Sequence, residues 1–462
     1  MEILFIADDL TGTLDGAAAL VGAGVEVHVR ADLPTAASLR TDARVLAVNA
    51  DTRHVAPSEA RERVKRIAAA GNDAGAKIIV KKTDSALRGN VGAELAGMLD
   101  AVPAAGPVHF MPAFPEMQRI TRDGIQYIDG VPVDKSVFGK DPFEPVTDAR
   151  VRDIVAAQAP ELSIAEIEST APEEAVDAVL GTADVIVYDI ESEDEMLSRC
   201  RKALDGPSPS LLAGCAGMTR ALALLLGAGA ECAALEHVAL DEGNLLVFCG
   251  SVNDVSTAQC AYARTAGYPT FSLSAESKFD SSWVETEEFK AFKAQVRASW
   301  SSHLLTVVES GECLDSESVK GVSHASSSED VRKLVARNLG RILKRLCDGS
   351  CTVFVMGGDV LQSFLDELGV SSISLIEEVA TGVVMSEFEY EDSTMRVISK
   401  SGGFGEPDLF VSLARRFVSD VAPAEGVKTS QGASDSSTPN EANKARSTKK
   451  EKVLVACSSP IA

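Results

Sequence analysis

The chain has 462 residues, 45% of them hydrophobic and 24% charged, enough apolar material for two or three cores and too long for one ordinary core. Its 44 basic side chains face 68 acidic ones, a formal net charge of −24 that excludes nucleic acid and anionic membrane surfaces as default partners. No apolar run reaches membrane-spanning length, and nine scattered cysteines without a disulfide or zinc frame read as reduced thiols of a cytoplasmic protein.

The first predicted element is a buried strand, Ile3-Leu4-Phe5-Ile6-Ala7, that ends in Asp8 and Asp9. Leu10, Thr11 and Gly12 read as a turn, followed by a small-residue helix over 15–23. Ligands of open α/β sheets bind outside the carboxyl ends of the strands. Asp8 and Asp9 would then stand at a ligand-facing edge, where paired acids suit metal binding or deprotonation of a hydroxyl. A helix-capping turn with solvated acids is the structural alternative.

Further strands are predicted over 25–30, 45–49, 77–81, 107–111 and 184–189, and helices over 57–70, 91–101, 148–159 and 172–180. This alternation is the mark of a doubly wound α/β sheet. After the run Ile78-Ile79-Val80 comes a dense polar cluster, Lys81-Lys82-Thr83-Asp84-Ser85-Ala86-Leu87-Arg88-Gly89-Asn90. Lys82, Asp84 and Arg88 share this connection, and Arg88 carries the planar fork that grips carboxylates. The loop Met111-Pro112-Ala113-Phe114-Pro115-Glu116-Met117-Gln118-Arg119 is stiffened by two prolines. It suits either the wall of a small-substrate pocket or a rigid connector with Phe114 buried. Gly214-Cys215-Ala216-Gly217 has the outline of a nucleophile elbow but no coherent histidine partner.

A domain boundary is predicted at 240/241. A second α/β series then begins with Leu245-Leu246-Val247-Phe248-Cys249 and ends near 421. It contains no phosphate loop of the Gly-x-x-x-x-Gly-Lys-Ser/Thr type, and no Gly-x-Gly-x-x-Gly follows the first strand of the chain. It has instead three strand–glycine–helix turns: Gly250-Ser251, Met356-Gly357-Gly358-Asp359, and Ser401-Gly402-Gly403-Phe404-Gly405. Glycine lets backbone approach a ligand closely, and a helix start offers free N–H groups to phosphate. Three such turns in one domain point to a nucleotide site. The Ser/Thr/Asn/Lys-rich residues 422–462 read as a disordered tail.

Taken together, these motifs resemble the four-carbon acid sugar kinase family. The resemblance rests on Ala7-Asp8-Asp9-Leu10-Thr11-Gly12, Lys81-Lys82-Thr83-Asp84-Ser85 with Leu87-Arg88-Gly89-Asn90, and Pro112-Ala113-Phe114-Pro115 with Arg119. It continues through Gly124, Asp129-Gly130-Val131-Pro132-Val133, Asp141-Pro142-Phe143, Gly250-Ser251, Gly357-Gly358-Asp359 and Lys400-Ser401-Gly402-Gly403-Phe404-Gly405. It implies two α/β domains with mainly parallel sheets and a ligand cleft between them: an acid-sugar domain over 1–240 and a nucleotide domain over 241–421. The implied reaction is phosphorylation by ATP, with Mg²⁺, of the terminal hydroxyl of threonate, erythronate or a 3-oxo-tetronate.

By the same resemblance Asp9, Asp8 and Lys82 would carry the chemistry. Asp84, Arg88, Phe114 and Arg119 would line the sugar side, with Arg88 on the substrate carboxylate. Ser251, Met356, Gly357, Gly358, Asp359, Gly402 and Gly403 would hold the nucleotide. Three positions depart from the family pattern: Val360 and Ala86 replace threonine, and Gln118 replaces glycine. Two rivals follow. One is a non-catalytic acid-sugar or nucleotide sensor that keeps the fold; the other is a phosphatase using Asp8 or Asp9 as nucleophile. A homodimer is the default assembly.

Overall fold

The structure, a computed structural model, describes residues 1–32, 41–140, 145–206, 208–227, 244–311, 328–347, 352–400 and 403–419. Gly402, the Asp141-Pro142-Phe143 motif and the expected tail over 422–462 lie outside the described residues.

Strand β1 (Ile3–Ala7) is buried at all five positions. Its side chains alternate between two cores: Ile3, Phe5 and Ala7 enter one, Leu4 and Ile6 the other. A continuous apolar run that is buried on both faces is what a parallel sheet covered by helices requires. On either side of β1 lie β3 (Val45–Asn49) and β4 (Ile78–Lys82), both parallel, with Ala7 opposite Asn49 and Lys82. This register places the residues after β1, β3 and β4 at one edge. Beyond them β2 (Val27–Arg30) pairs with β3, and β11 (Ser210–Gly214), β5 (Val108–Met111), β10 (Val185–Tyr188) and β9 (Ile164–Ile167) extend the sheet.

The predicted strands of this half are found within two residues of their expected limits, and β9 is an addition to this sheet. The helix expected over 15–23 instead runs over α1, Leu10–Gly22. Leu10, Thr11 and Gly12 are therefore its first turn and not a separate loop. The cause is Asp9, whose side chain accepts the backbone N–H of Gly12 at 2.7 Å and so starts the helix five residues early.

The second parallel set has the order β13 (Thr270–Ser272), β14 (Leu305–Glu309), β12 (Leu245–Cys249), β15 (Thr352–Met356) and β18 (Ser393–Lys400). Cys249 is opposite Met356, and Met356 opposite Lys400, so the three glycine turns leave from neighbouring strand ends. The α/β expectation holds, with one feature that the sequence reading missed. An antiparallel meander of β16 (Ser372–Ala380), β17 (Val383–Tyr390) and β18 closes this half, and Ser372–Ser374 of β16 pairs with His28–Arg30 of β2. The two sets thus form a single 15-stranded sheet, and one hydrophobic core runs through both. A small separate sheet, β6 (Arg119–Arg122), β7 (Ile125–Ile128) and β8 (Val131–Pro132), turns at Asp123-Gly124 and Asp129-Gly130, all four at positive φ.

No helix among the described residues is long and apolar enough to cross a membrane. Cys200, Cys215, Cys249, Cys260 and Cys347 are free thiols.

Candidate functional site

A cleft of 930 Å³ opens between the strand ends of the two halves. Asp9, Leu10 and Thr11 after β1, Asn49, Asp51, Arg53 and His54 after β3, and Arg88 after β4 line it from one side. Ser251 after β12, Met356 to Asp359 after β15, and Lys400 at the end of β18 line it from the other. Arg332, Lys333 and Arg337 of the helix Ser328–Leu346 complete the rim. The lining holds six lysines and arginines against five carboxylates, a local reversal of the −24 carried by the whole chain.

The organising residue of the acid side is Arg53, which sequence reasoning missed. Its backbone follows Asp8, since Thr52 N and Arg53 N donate to the Asp8 carbonyl at 2.9 and 3.2 Å. Its guanidinium donates from Nε to Asp8 Oδ2 at 2.7 Å and from Nη1 to Asp9 Oδ2, and its Nη2 lies 3.9 Å from Asp84 Oδ1. One buried cation thereby joins three carboxylates from two different strand ends. Only the placement of Asp51-Thr52-Arg53-His54 after a strand that neighbours β1 could have signalled it, because neighbouring parallel strands share a ligand edge.

Asp9 reaches the cleft. Both its oxygens are engaged, Oδ1 by Gly12 N and Oδ2 by Thr11 Oγ1 at 3.1 Å and by Arg53. Asp8 lies behind it, 2% exposed. Burial alone would raise the Asp8 pKa, but Arg53, Lys81 and Lys82 outweigh it and hold the carboxyl below the usual range. Its Oδ1 is buried with no hydrogen-bond partner among the described residues. Lys82, also buried, sits close by: a Cβ added to Gly12 would stand 3.0 Å from Lys82 Nζ and 3.7 Å from Asp8 Oδ1.

Arg88 lines the cleft with its fork already placed. Nε and Nη2 donate to the two oxygens of Asp84 at 3.0 and 2.9 Å, and its guanidinium lies 5.1 Å from the centre of the Phe138 ring. Asp84 also accepts Ala86 N at 3.1 Å, which shapes the turn. Burial opposes the charge on Asp84, yet Arg88 and Arg53 hold its carboxyl well below the usual range. Asp84 is thus a buried brace for two arginines and does not itself line the cleft. Phe114 is 1% exposed in a small cluster with Cys215, Ala216 and Phe404. Arg119 stands beside that cluster and donates to Ser85 Oγ. Neither lines the cleft, and neither does Gly403.

On the opposite wall the glycine turns are close-built. Gly357 has φ +107, and Gly358 opens the helix Gly358–Leu368 towards the cleft. A Cβ on Gly358 would stand 3.1 Å from Thr11 Oγ1 of the other half, and one on Gly250 only 2.5 Å from Val360 Cγ2. Val360 is 4% exposed and interlocks two of the turns. Ala86 is fully buried against Ile128 and Val133. Gln118 adopts φ +53, the left-handed region that suits the family's glycine. Asn49 Nδ2 donates to Gln362 Oε1 at 2.9 Å across the cleft. Lys400, 1% exposed, donates to the Phe404 carbonyl at 3.0 Å, and burial lowers its pKa to about 8.

The donor set fits a magnesium nucleotide. Glycine turns that a Cβ would obstruct and a helix start at the cleft are suited to phosphates. No group of three or more His, Cys, Asp or Glu suited to a metal occurs among the described residues. Mg²⁺ bound with phosphates takes one or two protein carboxylates, and Asp9 and Asp8, whose Oδ1 is buried without a hydrogen-bond partner among the described residues, would be the residues to hold it.

Comparison with known proteins follows the same division. A sequence profile of sugar-binding N-terminal domains matches residues 3–222, and one of nucleotide-binding C-terminal domains matches 246–410. A D-threonate kinase of Bordetella bronchiseptica is 30% identical over 424 residues, covering 89% of this chain and 96% of its own. A D-erythronate kinase of Heliobacterium modesticaldum is 28% identical, covering 82% and 88%, and a 3-oxo-tetronate kinase of Methylobacterium radiotolerans 25%, covering 88% and 96%. The crystal structure of a Salmonella typhimurium protein described as a putative tRNA synthase has the same fold, with a TM-score of 0.72 at 20% identity over 90% of this chain and 99% of that one. With two domain profiles in order and a relative of this identity spanning nearly its full length, the chain belongs to the four-carbon acid sugar kinase family.

Proposed function

We propose that the protein is an ATP-dependent kinase that phosphorylates the terminal hydroxyl of a four-carbon acid sugar such as threonate, erythronate or 3-oxo-tetronate. The observation that carries this reading is the meeting of Thr11 and Gly358. It brings the carboxylate–arginine cluster of one half and the glycine-opened helix of the other onto a single cleft. In this reading residues 1–240 bind the acid sugar and residues 241–421 the nucleotide. Relatives named for kinases of three such acids support the class of substrate.

Phosphoryl transfer depends on positioning and charge neutralisation more than on covalent help. Bound magnesium ATP supplies the phosphoryl group and offsets its charge. In this assignment Asp9 faces the acceptor hydroxyl and holds or takes its proton, kept in place by the Gly12 N–H and Arg53. Asp8 keeps Arg53 in register from behind. Arg88, braced by Asp84, offers its unused Nη1 to the substrate carboxylate. Lys82 lends positive charge beneath Asp9 without contact to the acid. Ser251 and the turn Met356-Gly357-Gly358-Asp359 hold phosphates, and the family resemblance adds Gly402, which lies outside the described residues.

The test is release of ADP from magnesium ATP over a panel of four-carbon acids in both stereochemical series, with and without a 3-oxo group. Acid-dependent ADP release is expected with at least one. Binding of nucleotide and acid without turnover would favour the sensor reading instead, and phosphate release without ATP the phosphatase. Gly357→Ala provides a local check. A φ of +107 is a region essentially reserved for glycine, so the change costs about 1–3 kcal/mol of stability. Misplacing one N–H of the turn weakens nucleotide binding by roughly tenfold or more. Nucleotide affinity equal to wild type by calorimetry would remove this turn from the phosphate site.

A further inference from the structure

Strands β12 and β15 lie side by side, and the helices that follow them pack into different cores on opposite faces of the sheet. The helix Asp254–Thr265 buries Cys260 and Ala263 in one core, and the helix Gly358–Leu368 buries Val360, Leu361 and Phe364 in the other. Such a switch opens a crevice at the carboxyl ends of the two strands. The Gly358 side of this crevice carries the phosphate turn described above. The other side carries Ser256 and Lys400.

Ser256 lines the cleft from the first turn of its helix, and the residue is 0% exposed. Its Oγ is buried with no hydrogen-bond partner among the described residues. A buried hydroxyl left unpaired is unfavourable, and one at a cleft wall is satisfied when a ligand supplies an acceptor. The helix start is not itself the attraction, because Asn253 Oδ1 already takes the N–H of Val255 at 3.0 Å. Lys400 is the second component, 1% exposed and lining the same cleft. Gln259, three residues after Ser256 and so on the same side of the helix, donates from Nε2 to the Phe404 carbonyl at 3.2 Å, and Lys400 Nζ donates to that same oxygen at 3.0 Å. The shared oxygen lays the Ser256 face of the helix against the Lys400 ammonium. Burial lowers the Lys400 pKa to about 8, so the side chain is still charged at pH 7, and an anion beside it offsets the cost of burying that charge.

We propose that Ser256 Oγ and Lys400 Nζ together bind a phosphate group of the nucleotide, on the face of the sheet opposite the helix that Gly358 opens. This rests on the kinase reading above. A phosphate oxygen accepts from a hydroxyl and from an ammonium alike, and both bonds are strengthened by charge. The Ser256 hydroxyl, paired only when nucleotide is bound, then contributes to affinity and nothing to the stability of the free protein.

The test is calorimetric titration of the full-length protein with the magnesium complex of β,γ-methylene ATP, beside melting curves without nucleotide. Ser256→Ala should bind the analogue about tenfold more weakly, as expected for one lost hydrogen bond to a charged group, with a nucleotide-free melting temperature unchanged or raised. Lys400→Met keeps the length of the side chain, removes its charge and should weaken binding roughly thirtyfold or more. The 2′-deoxy and 3′-deoxy forms of the analogue separate phosphate from ribose, since a phosphate contact keeps the Ser256→Ala factor with both. A factor that falls to one with either deoxy form places Ser256 on the ribose and overturns the inference. Unchanged affinity in Ser256→Ala overturns it too, as does a lowered melting temperature without nucleotide, which would show that the hydroxyl has a partner in the fold. All three results leave the kinase reading standing. A wild-type protein that binds no analogue overturns both.

Discussion

Arg53→Met is expected to destabilise the protein by about 3–5 kcal/mol at pH 7, because it leaves buried carboxylates without their shared cation. Arg53 has 10% of its side chain exposed, Asp8 3%, Asp9 22% and Asp84 11%, so solvent cannot replace what is lost. Lysine is a poor substitute: a single ammonium cannot present the fork that reaches Asp8 and Asp9 together, and Arg53→Lys should recover only part of the loss. The pH dependence follows from the sign of the shifts. Asp8 and Asp84 have folded pKa values below the ordinary 3.8, so their stabilisation is complete above that value and is lost as the pH falls through the folded values. Removing Arg53 shrinks both depressions, so the variant has less stability to lose on acidification: it should start from a lower stability at pH 7 and show a shallower acid limb. Denaturant titration at pH 7 and thermal unfolding from pH 7 to 3 measure both effects. A change under about 1 kcal/mol with an unmoved acid limb would mean that the cluster is already satisfied by Lys81, Lys82 and Arg88.

Asp9→Asn is expected to lower kcat by about 10²–10⁴, the range of a lost acid–base contribution, with little change in stability. The substitution is informative because Asp9 has two roles that it separates. Its Oδ1 caps α1 by accepting Gly12 N at 2.7 Å, and asparagine caps as well as aspartate. Its carboxylate charge, directed at Arg53 and the cleft, is what asparagine lacks. Asp8→Asn should behave differently, disturbing stability more, since Asp8 lies behind the cleft with Arg53 as its hydrogen-bonding partner. Steady-state kinetics beside a melting curve decide the matter. Near-normal turnover in folded Asp9→Asn would remove Asp9 from the chemistry.

The features legible in the sequence were those in which one short segment carries its own signal. The apolar run Ile3–Ala7 closed by two acids, and the glycine pair after Thr352–Met356, each announce a strand end with a ligand-facing turn. The missing features are those made by two distant segments. Arg53 is one arginine in an ordinary loop until β3 is laid beside β1 and its fork reaches three acids. The β16–β2 pairing escapes because β16, β17 and β18 follow one another with no helix between them and so break the α/β alternation on which the reading relied. Arg88 shows the opposite difficulty. Its affinity for a carboxylate was readable, but the carboxylate it grips first is Asp84, four residues away. Phe114, equally suited to a pocket wall or a buried connector by sequence, is packed in the interior once Phe404 arrives from the other half.

Transfer of phosphate to the terminal hydroxyl is tested most directly by phosphorus NMR of the product formed from magnesium ATP and the acid that supports ADP release. One phosphate monoester is expected whose phosphorus couples to two protons, as it must on a terminal CH₂ oxygen, formed in step with ADP. Inorganic phosphate alone, or a phosphorus coupled to a single proton on a secondary carbon, would contradict it.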